Sequence, residues 1–451
     1  MRSGFVRALS SALALGLGSA ALAAQQPLTL RQAIDRALGR NPEAAAAHAG
    51  EQDAAAAARL ARTPLLPRLN FTEDISRGND PVYVFGTRLR QGLFTQADFG
   101  IDSLNHPTPI GDFVTRFNGS WLAFDSFKTE KQIHGADLAK KSSVSSAKAV
   151  NQEIVLNVVK AYEQVLYAER EVEVARHEEQ TAEALLTSVD QHVKAGLAVE
   201  SDLMSAQVNL AARKEDRIAA QGGLEVAWAQ LRMAMGVEHL QPSQLAPIEP
   251  HVFPQTPLEQ ELAQAAKARP DLTALHQAQQ AQAEAVGAAR SDFGPRISAY
   301  GNWEEDRPTF AGPGGNNWVA GVQLNLDILP VGKREQLARA KAAKQQIDAQ
   351  RTLAEQQVRL EVSQAHIALQ TAALSVDTAR AATAQAAEGL RIVRNRYNAG
   401  LATITDLLRA EDAERQSQAN YWRAVYGNAT AYAELLYATG TLTPDAAEGL
   451  Q

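Results

Sequence analysis

The sequence predicts an α+β membrane protein built from two tandem copies of one unit, each copy a strand pair joined to very long helices. Three observations carry this expectation. Landmarks of the first half recur at fixed spacings in the second. Two stretches of more than sixty residues run without proline and carry the apolar spacing of a coiled coil. The N-terminus reads as an export signal, and no later segment has the ~18 uninterrupted apolar residues that a membrane-spanning helix needs, so insertion must use strands.

The export signal comes first in the chain. Arg2 and Arg7 precede an uncharged apolar stretch from Ala8 to Leu22, and Ala21-Leu22-Ala23 has the form of a cleavage site. Residues 1–23 are therefore expected to be a signal peptide; the apolar run is too short and too rich in small residues for a membrane anchor. The 451 residues are 45% hydrophobic but only 6% aromatic, with alanine the dominant apolar residue, which suits close-packed helices better than an enzyme core. The absence of Cys rules out disulfides, thiol catalysis, Cys-based zinc sites and a lipid-bearing N-terminal Cys. The nine His residues are scattered with no pair at i,i+3 or i,i+4, so neither a metal site nor a cofactor is expected, and no enzyme activity. Net charge is −7 with no polybasic block, which argues against nucleic acid as a partner.

The duplication divides the mature chain into residues 24–250 and 251–451. Asn41-Pro42-Glu43 answers to Arg269-Pro270-Asp271, and Leu66-Pro67-Arg68-Leu69 to Gly294-Pro295-Arg296-Ile297, both 228 positions apart. Further on, Ala195-Gly196-Leu197 with Asp202-Leu203 answers to Ala399-Gly400-Leu401 with Asp406-Leu407, now 204 apart. The second copy is thus 24 residues shorter, and the difference falls between Arg68 and about Asp112.

Within each copy the strands come before the long helix. Val322, Leu324 and Leu326 alternate with Gln323, Asn325 and Asp327, a strand with one apolar face over about 318–327, and its partner lies at about 297–304. The first copy has strands at about 69–75 and 113–124, where Phe117, Gly119 and Trp121 alternate with Asn118 and Ser120. Trp121, Trp303 and Trp318 are candidates for interfacial aromatic girdles, although the same aromatics would serve a soluble sheet. The acidic run Glu304-Glu305-Asp306 reads as a solvated rim where a strand enters a loop. The long first-copy connection, Asp74 to Asp112, would pack over the barrel mouth or form a receptor surface.

Helices are expected at 128–195, 201–236, 333–398 and 405–438. Val155, Val158, Tyr162, Val165, Val172, Ala175, Ala182, Leu186, Val189 and Val193 form a 3/4-spaced seam. A helix of that length runs roughly 100 Å and needs neighbours of similar length. Stacking helix 201–236 end to end with helix 270–291 would supply one.

Four strands cannot close a membrane barrel, because closed single-chain barrels start at about eight and an open edge is not tolerated in lipid. The subunit must oligomerise, with two or three copies both possible on strand count. Thr29-Leu30, Asn41-Pro42, the two Pro-Arg strand leaders, and Arg396-Tyr397-Asn398-Ala399-Gly400 followed by Asp406-Leu407-Leu408 together resemble the TolC family of outer-membrane efflux proteins, over essentially the whole mature chain. The resemblance implies a homotrimer in outer-membrane lipid. Its twelve strands would form one β-barrel continuous with a periplasmic α-barrel, a passive duct for drugs or metal ions. It would dock through a periplasmic adaptor to an inner-membrane pump, proton-driven or of ABC type. Lacking Cys, the chain departs from the lipidated branch.

The turns after the long helices are the candidate functional sites. Gly196 and Gly400 suit a left-handed C-cap, with Ser201 and Thr405 as candidate caps of the following helices. The resemblance places Asp202, Asp406 and Tyr397 at a periplasmic gate, whereas residue chemistry alone makes the two carboxylates complements of a helix dipole and Tyr397 a packing residue. The tips Gly196-Leu197 and Gly400-Leu401 are the candidate adaptor contacts. Ala402 and Arg409 stand where some members carry an Arg and a second Asp, so the salt bridges that hold those gates need not be present. Two other readings remain open: a type I protein-secretion duct, and a soluble periplasmic coiled-coil scaffold or adaptor.

Overall fold

The structure, a computed structural model, describes residues 27–239, 245–248 and 251–450; the expected signal peptide and the boundary between the copies at 250 lie outside these. The first copy runs α1 (Leu30–Arg40), α2 (Pro42–Leu60), β1 (Arg68–Gly78), α3 (Pro81–Arg90), α4 (Ile101–Asn105), β2 (Ile110–Phe124), α5 (Lys128–Lys194) and α6 (Glu200–Met235). The second runs α7 (Leu258–Ala268), α8 (Pro270–Ser291), β3 (Arg296–Arg307), β4 (Gly315–Asn325), α9 (Lys333–Asn398), α10 (Ile404–Ala438) and α11 (Pro444–Glu448). Among the described residues no helix is long and apolar enough to cross a membrane.

The four strands form one antiparallel sheet in the order β1-β2-β3-β4, so its two outer edges belong to β1 and β4. Strand alternation sorts the side chains onto two faces. One carries Phe71, Phe117, Trp121, Trp303, Trp318, Val322 and Leu324; the other carries Asn70, Arg116, Asn118, Asn302, Glu304 and Gln323. The register sets Phe71, Phe117, Trp303 and Trp318 side by side across all four strands, with adjacent ring centroids 5.3 Å (Phe71–Phe117) and 5.8 Å (Phe117–Trp303) apart. Trp121 lies on the same face at a second level, four residues or about 13 Å nearer the helices. There its indole N–H donates to the Leu65 carbonyl at 3.0 Å.

The ladder reaches further than the alternation pattern does, with Gly78 paired to Ile110 and Asp306 to Gly315. Two expectations change as a result. The acidic run is not a solvated loop rim: all three residues are within β3, Asp306 is 0% exposed, and Glu304 accepts from Arg116 at 3.1 Å. The long first-copy connection shrinks to 79–109 and is itself folded, with Phe94 packed edge-on against Phe85 and Phe99 at 4.8 and 5.1 Å.

The helices extend from one end of the sheet. α5, 67 residues long, buries the seam read from the sequence, with Val155, Val158, Tyr162, Val165, Val172, Ala175, Ala182 and Val189 all inside. α1, α11 and residues 245–248 pack around its middle, where the Tyr162 hydroxyl donates to the Leu28 carbonyl at 2.7 Å. End-to-end stacking occurs, but α6 does not continue into α8 as length matching suggested. The C-terminus of α6 meets the start of α2: Asn41 Nδ2 donates to the Ala234 carbonyl at 3.0 Å, and a Cβ on Gly236 (φ +64°) would lie 2.6 Å from the Asn41 Cα. The matched junction joins α10 to α8, where a Cβ on Gly440 (φ +75°) would lie 2.7 Å from the Arg269 nitrogen. Helix length cannot choose between partners; the backbone approach at these two glycines does.

Candidate functional site

The ends of the helices remote from the sheet are two hairpin tips, α5–α6 and α9–α10. Each long helix stops in a Schellman turn. Gly196 sits at φ +72° with its N–H bonded to the Val193 carbonyl, and the Leu197 N–H reaches the His192 carbonyl at 2.8 Å. Gly400, also at φ +72°, repeats this with Tyr397, and Leu401 with Arg396 at 2.8 Å. The residue after each glycine is left in the open: Leu197 is 78% exposed and Leu401 69%.

The following helices start differently from the expectation. α6 begins at Glu200 and its N-cap is Val199, not Ser201, so no side chain caps it. α10 begins at Ile404 and its N-cap is Thr403, not Thr405. There Thr403 and Asp406 form a reciprocal capping box: the Asp406 carboxylate accepts from the Thr403 N–H at 3.0 Å and hydroxyl at 2.7 Å, and the Asp406 N–H donates to Thr403 Oγ1. These bonds, led by the one from the hydroxyl, hold the Asp406 carboxyl below the usual carboxylate range. The Thr-x-x-Asp spacing was available in the sequence and the reading two positions downstream missed it.

Asp202 lies close enough to Tyr397, of the other copy, for its charge to act on the phenol. Tyr397 is partly buried against an apolar cluster of Val189, Ala206 and Ile404, packed with Leu185, Leu186, Val193, Leu203 and Leu408. That burial, and then the charge of nearby Asp202, raise its phenol above the ordinary value. Asp406 is exposed and engaged with its cap. Among the described residues neither Asp202 nor Asp406 takes part in an ion pair within the subunit. The charged ties between helices sit further up the rods, where Arg394 pairs with Glu411 at 3.2 Å and Arg213 on α6 pairs with Asp412 on α10 at 3.2 Å. Glu411 is buried enough to raise its carboxyl above the usual range. No sequence signal singled out these pairs, whose members lie on separate helices.

A sheet with one apolar, aromatic-banded face and one polar face, set on helical rods roughly 100 Å long with exposed tips, defines a subunit of a membrane channel with a long helical duct. The sequence profile described as outer membrane efflux protein matches residues 33–237 and 262–441, and the chain belongs to that family, whose TolC-like members it resembled in sequence. It is 24% identical over 450 residues to the outer membrane protein TolC of Vibrio cholerae, spanning 95% of this chain and 94% of that one. It is also 26% identical over 394 residues to the protein CyaE of Bordetella pertussis, spanning 85% and 78%. Among solved structures it matches CusC with a TM-score of 0.78 at 19% identity, covering 91% of this chain and 92% of that one. The open state of the Neisseria gonorrhoeae MtrE outer membrane channel matches with a TM-score of 0.75 at 21% identity, covering 92% and 91%. The chain is therefore an efflux channel of the outer membrane, its strands in the membrane and its helices in the periplasm.

Proposed function

We propose that three copies close head to tail into one duct, and the carrying observation is that both flanks of the subunit are unsatisfied in the same sense. In the sheet, β1 and β4 are left with open edges. In the helical part, α9 exposes Leu353, Leu360, Ile367 and Leu374 at every seventh position, while the opposite flank, α6, exposes Met204, Val208, Ile218, Val226 and Met233. A heterologous contact that pairs one flank with the other removes both edges and closes on rotation. Three subunits supply twelve strands, within the range of closed barrels that start at about eight. The apolar face, with its aromatic row and Trp121, then meets lipid and the polar face lines the pore.

The tips, Leu197 and Leu401 after Gly196 and Gly400, dock a periplasmic adaptor that links the duct to an inner-membrane pump. Asp202, Asp406 and Tyr397 ring the narrow periplasmic end, with Asp202 as the free carboxylate. Small-molecule drugs or metal ions pass through passively. A protein cargo is the second reading, favoured by the 24% identity over 397 residues to the alkaline protease secretion protein AprF of Pseudomonas aeruginosa.

Leu360→Asp with Ile367→Asp tests the ring: both side chains are exposed in the single subunit, so folding is unaffected, but the heat-modifiable trimer should be lost. A trimer that persists overturns the α9 interface. Cargo is read in cells lacking the gene: drug or metal sensitivity restored by the wild-type chain supports small molecules, and restored export of a large protein without any change in sensitivity supports secretion.

A further inference from the structure

The connection between β1 and β2 is the one part of the first copy without a counterpart of similar length in the second, and α3 within it does not project outward. Contacts from β1, β2 and β4 fix it across the polar face of the sheet at the end remote from the helices. The Tyr83 hydroxyl is 2.8 Å from Ser76 Oγ on β1. Gln91 Nε2 donates to Asp112 Oδ1 on β2 at 3.0 Å. On β4, a Cβ on Gly315 would overlap the Arg90 carbonyl oxygen, so only glycine lets α3 come so close. By strand parity Ser76, Asp112, Asp306 and Gly315 all belong to the face opposite Phe117 and Trp303.

The helix is two-sided. Val84, Thr87 and Gln91 face the sheet and are buried, and Asp306, close enough to Arg90 to feel its charge, is sealed beneath. Half a turn away, Val82 and Leu89 share one line of the helix and are exposed, and Leu93, just past the left-handed Gly92 that ends it, is exposed as well. An amphipathic helix with its polar side toward solvent would need no explanation; here the side turned away from the sheet is the apolar one.

We propose that α3 is a constriction at the outer mouth of the pore, and that its line of Val82 and Leu89 decides what leaves. This rests on the ring proposed above, in which the polar face of the sheet is the lumen and three such lines converge on the axis. An apolar ring of this kind wets poorly, so it opposes hydrated ions and strongly polar solutes and admits molecules with apolar surface. Polar side chains deeper in the barrel, such as Asn118, then lie behind it. The extra length of the first copy is what builds the device; the second copy's hairpin, with only a short connection between β3 and β4, leaves room for it.

The absence of native Cys makes the test direct. Asn118→Cys is placed in the otherwise wild-type chain, in a chain carrying Val82→Ser with Leu89→Ser, and in a chain whose residues 80–109 are replaced by a short Gly-Ser linker. Intact cells are treated with a sulfonated, membrane-impermeant maleimide. Labelling of the introduced thiol should be about tenfold faster in both altered chains than in the parent, since removing either the apolar line or the whole helix opens the barrier to a charged reagent. Faster labelling in the linker chain with no change in the serine chain overturns the apolar selectivity. Equal labelling in all three, with heat-modifiable trimers intact, overturns the constriction while leaving the ring; loss of trimers from the parent chain overturns both.

Discussion

The α5–α6 and α9–α10 tips have the same backbone and different side-chain chemistry. Each ends its long helix on a left-handed glycine at φ +72° followed by an exposed leucine. The next helix then starts on Val199 in one copy and on Thr403 in the other. That single difference divides the labour between two aspartates at matched positions. Asp406 is spent on its own helix terminus, whereas Asp202 has no capping hydroxyl and lies beside Tyr397 of the other hairpin. Duplication preserved the turn because glycine geometry dictates it; the residue that caps the turn was free to diverge.

Glycine substitutions should split the matched positions into two classes, with the largest effects expected anywhere in the chain. At Gly236 and Gly440 an added Cβ meets backbone at 2.6 and 2.7 Å, on top of a left-handed φ, and backbone cannot step aside. Gly236→Ala and Gly440→Ala should each cost several kcal/mol and deplete the trimer in membranes. At Gly196 and Gly400 nothing lies within 4 Å, so alanine there carries only left-handed strain of ~1–2 kcal/mol. The trimer should survive, and export should fail because the exposed leucine is redirected. Loss of the trimer at the tips as well would give the tip glycines a folding role and remove the adaptor assignment.

The aspartates test the division itself. In planar bilayers, Asp202→Ala should change conductance several-fold and weaken block by divalent cations, and Asp406→Ala should do much less, because a ring of free carboxylates attracts cations while capped ones are already engaged. Equal effects from the two single changes would break the contrast between the tips. Unchanged conductance and block in the double variant would remove both residues from the gate.

Much of this molecule was legible in sequence because its determinants are periodic. The two offsets marked the repeat, proline-free runs with the 3/4 seam of the first gave α5 and α9 to within a residue at either end, and two-residue alternation marked β2 and β4, with β1 and β3 placed as their partners. What periodicity could not reach was whatever depends on a partner elsewhere in the chain. Strand ends were extended by pairing, as at Asp306 opposite Gly315. Helix stacking was chosen by the contacts of Gly236 with Asn41 and Gly440 with Arg269. The path of α3 across the polar face of the sheet was set by the side chains of Ser76 and Asp112 and by the close backbone approach at Gly315. At the tips, Gly196 and Gly400 were readable as turn residues, while the nearness of Asp202 to Tyr397 depends on how two hairpins, 204 residues apart in the repeat, pack together.

The smallest expected effects come from exchanging the caps, and they are the most specific. Thr403→Val should cost about 1 kcal/mol and Val199→Thr should gain a similar amount, each seen as a change in hydrogen exchange confined to the first turn of α10 or α6. A new hydroxyl at 199 also offers Asp202 the bond that Asp406 enjoys, so Val199→Thr should shift conductance in the same direction as Asp202→Ala without removing a charge. The pH dependence has a defined sign. Asp406 has a folded pKa depressed below its unfolded value, near 3.8. Its contribution to capping is therefore fully present above that value and is lost as pH falls through the lower, folded one. Protection of the first α10 amides should drop in acid below about pH 4 in the wild type and respond less in Thr403→Val, which loses the hydroxyl but keeps the backbone N–H that donates to Asp406. A wild type and a Thr403→Val chain with the same acid profile would mean that the capping box does not hold Asp406, and with it would go the reason for treating the two tips as different.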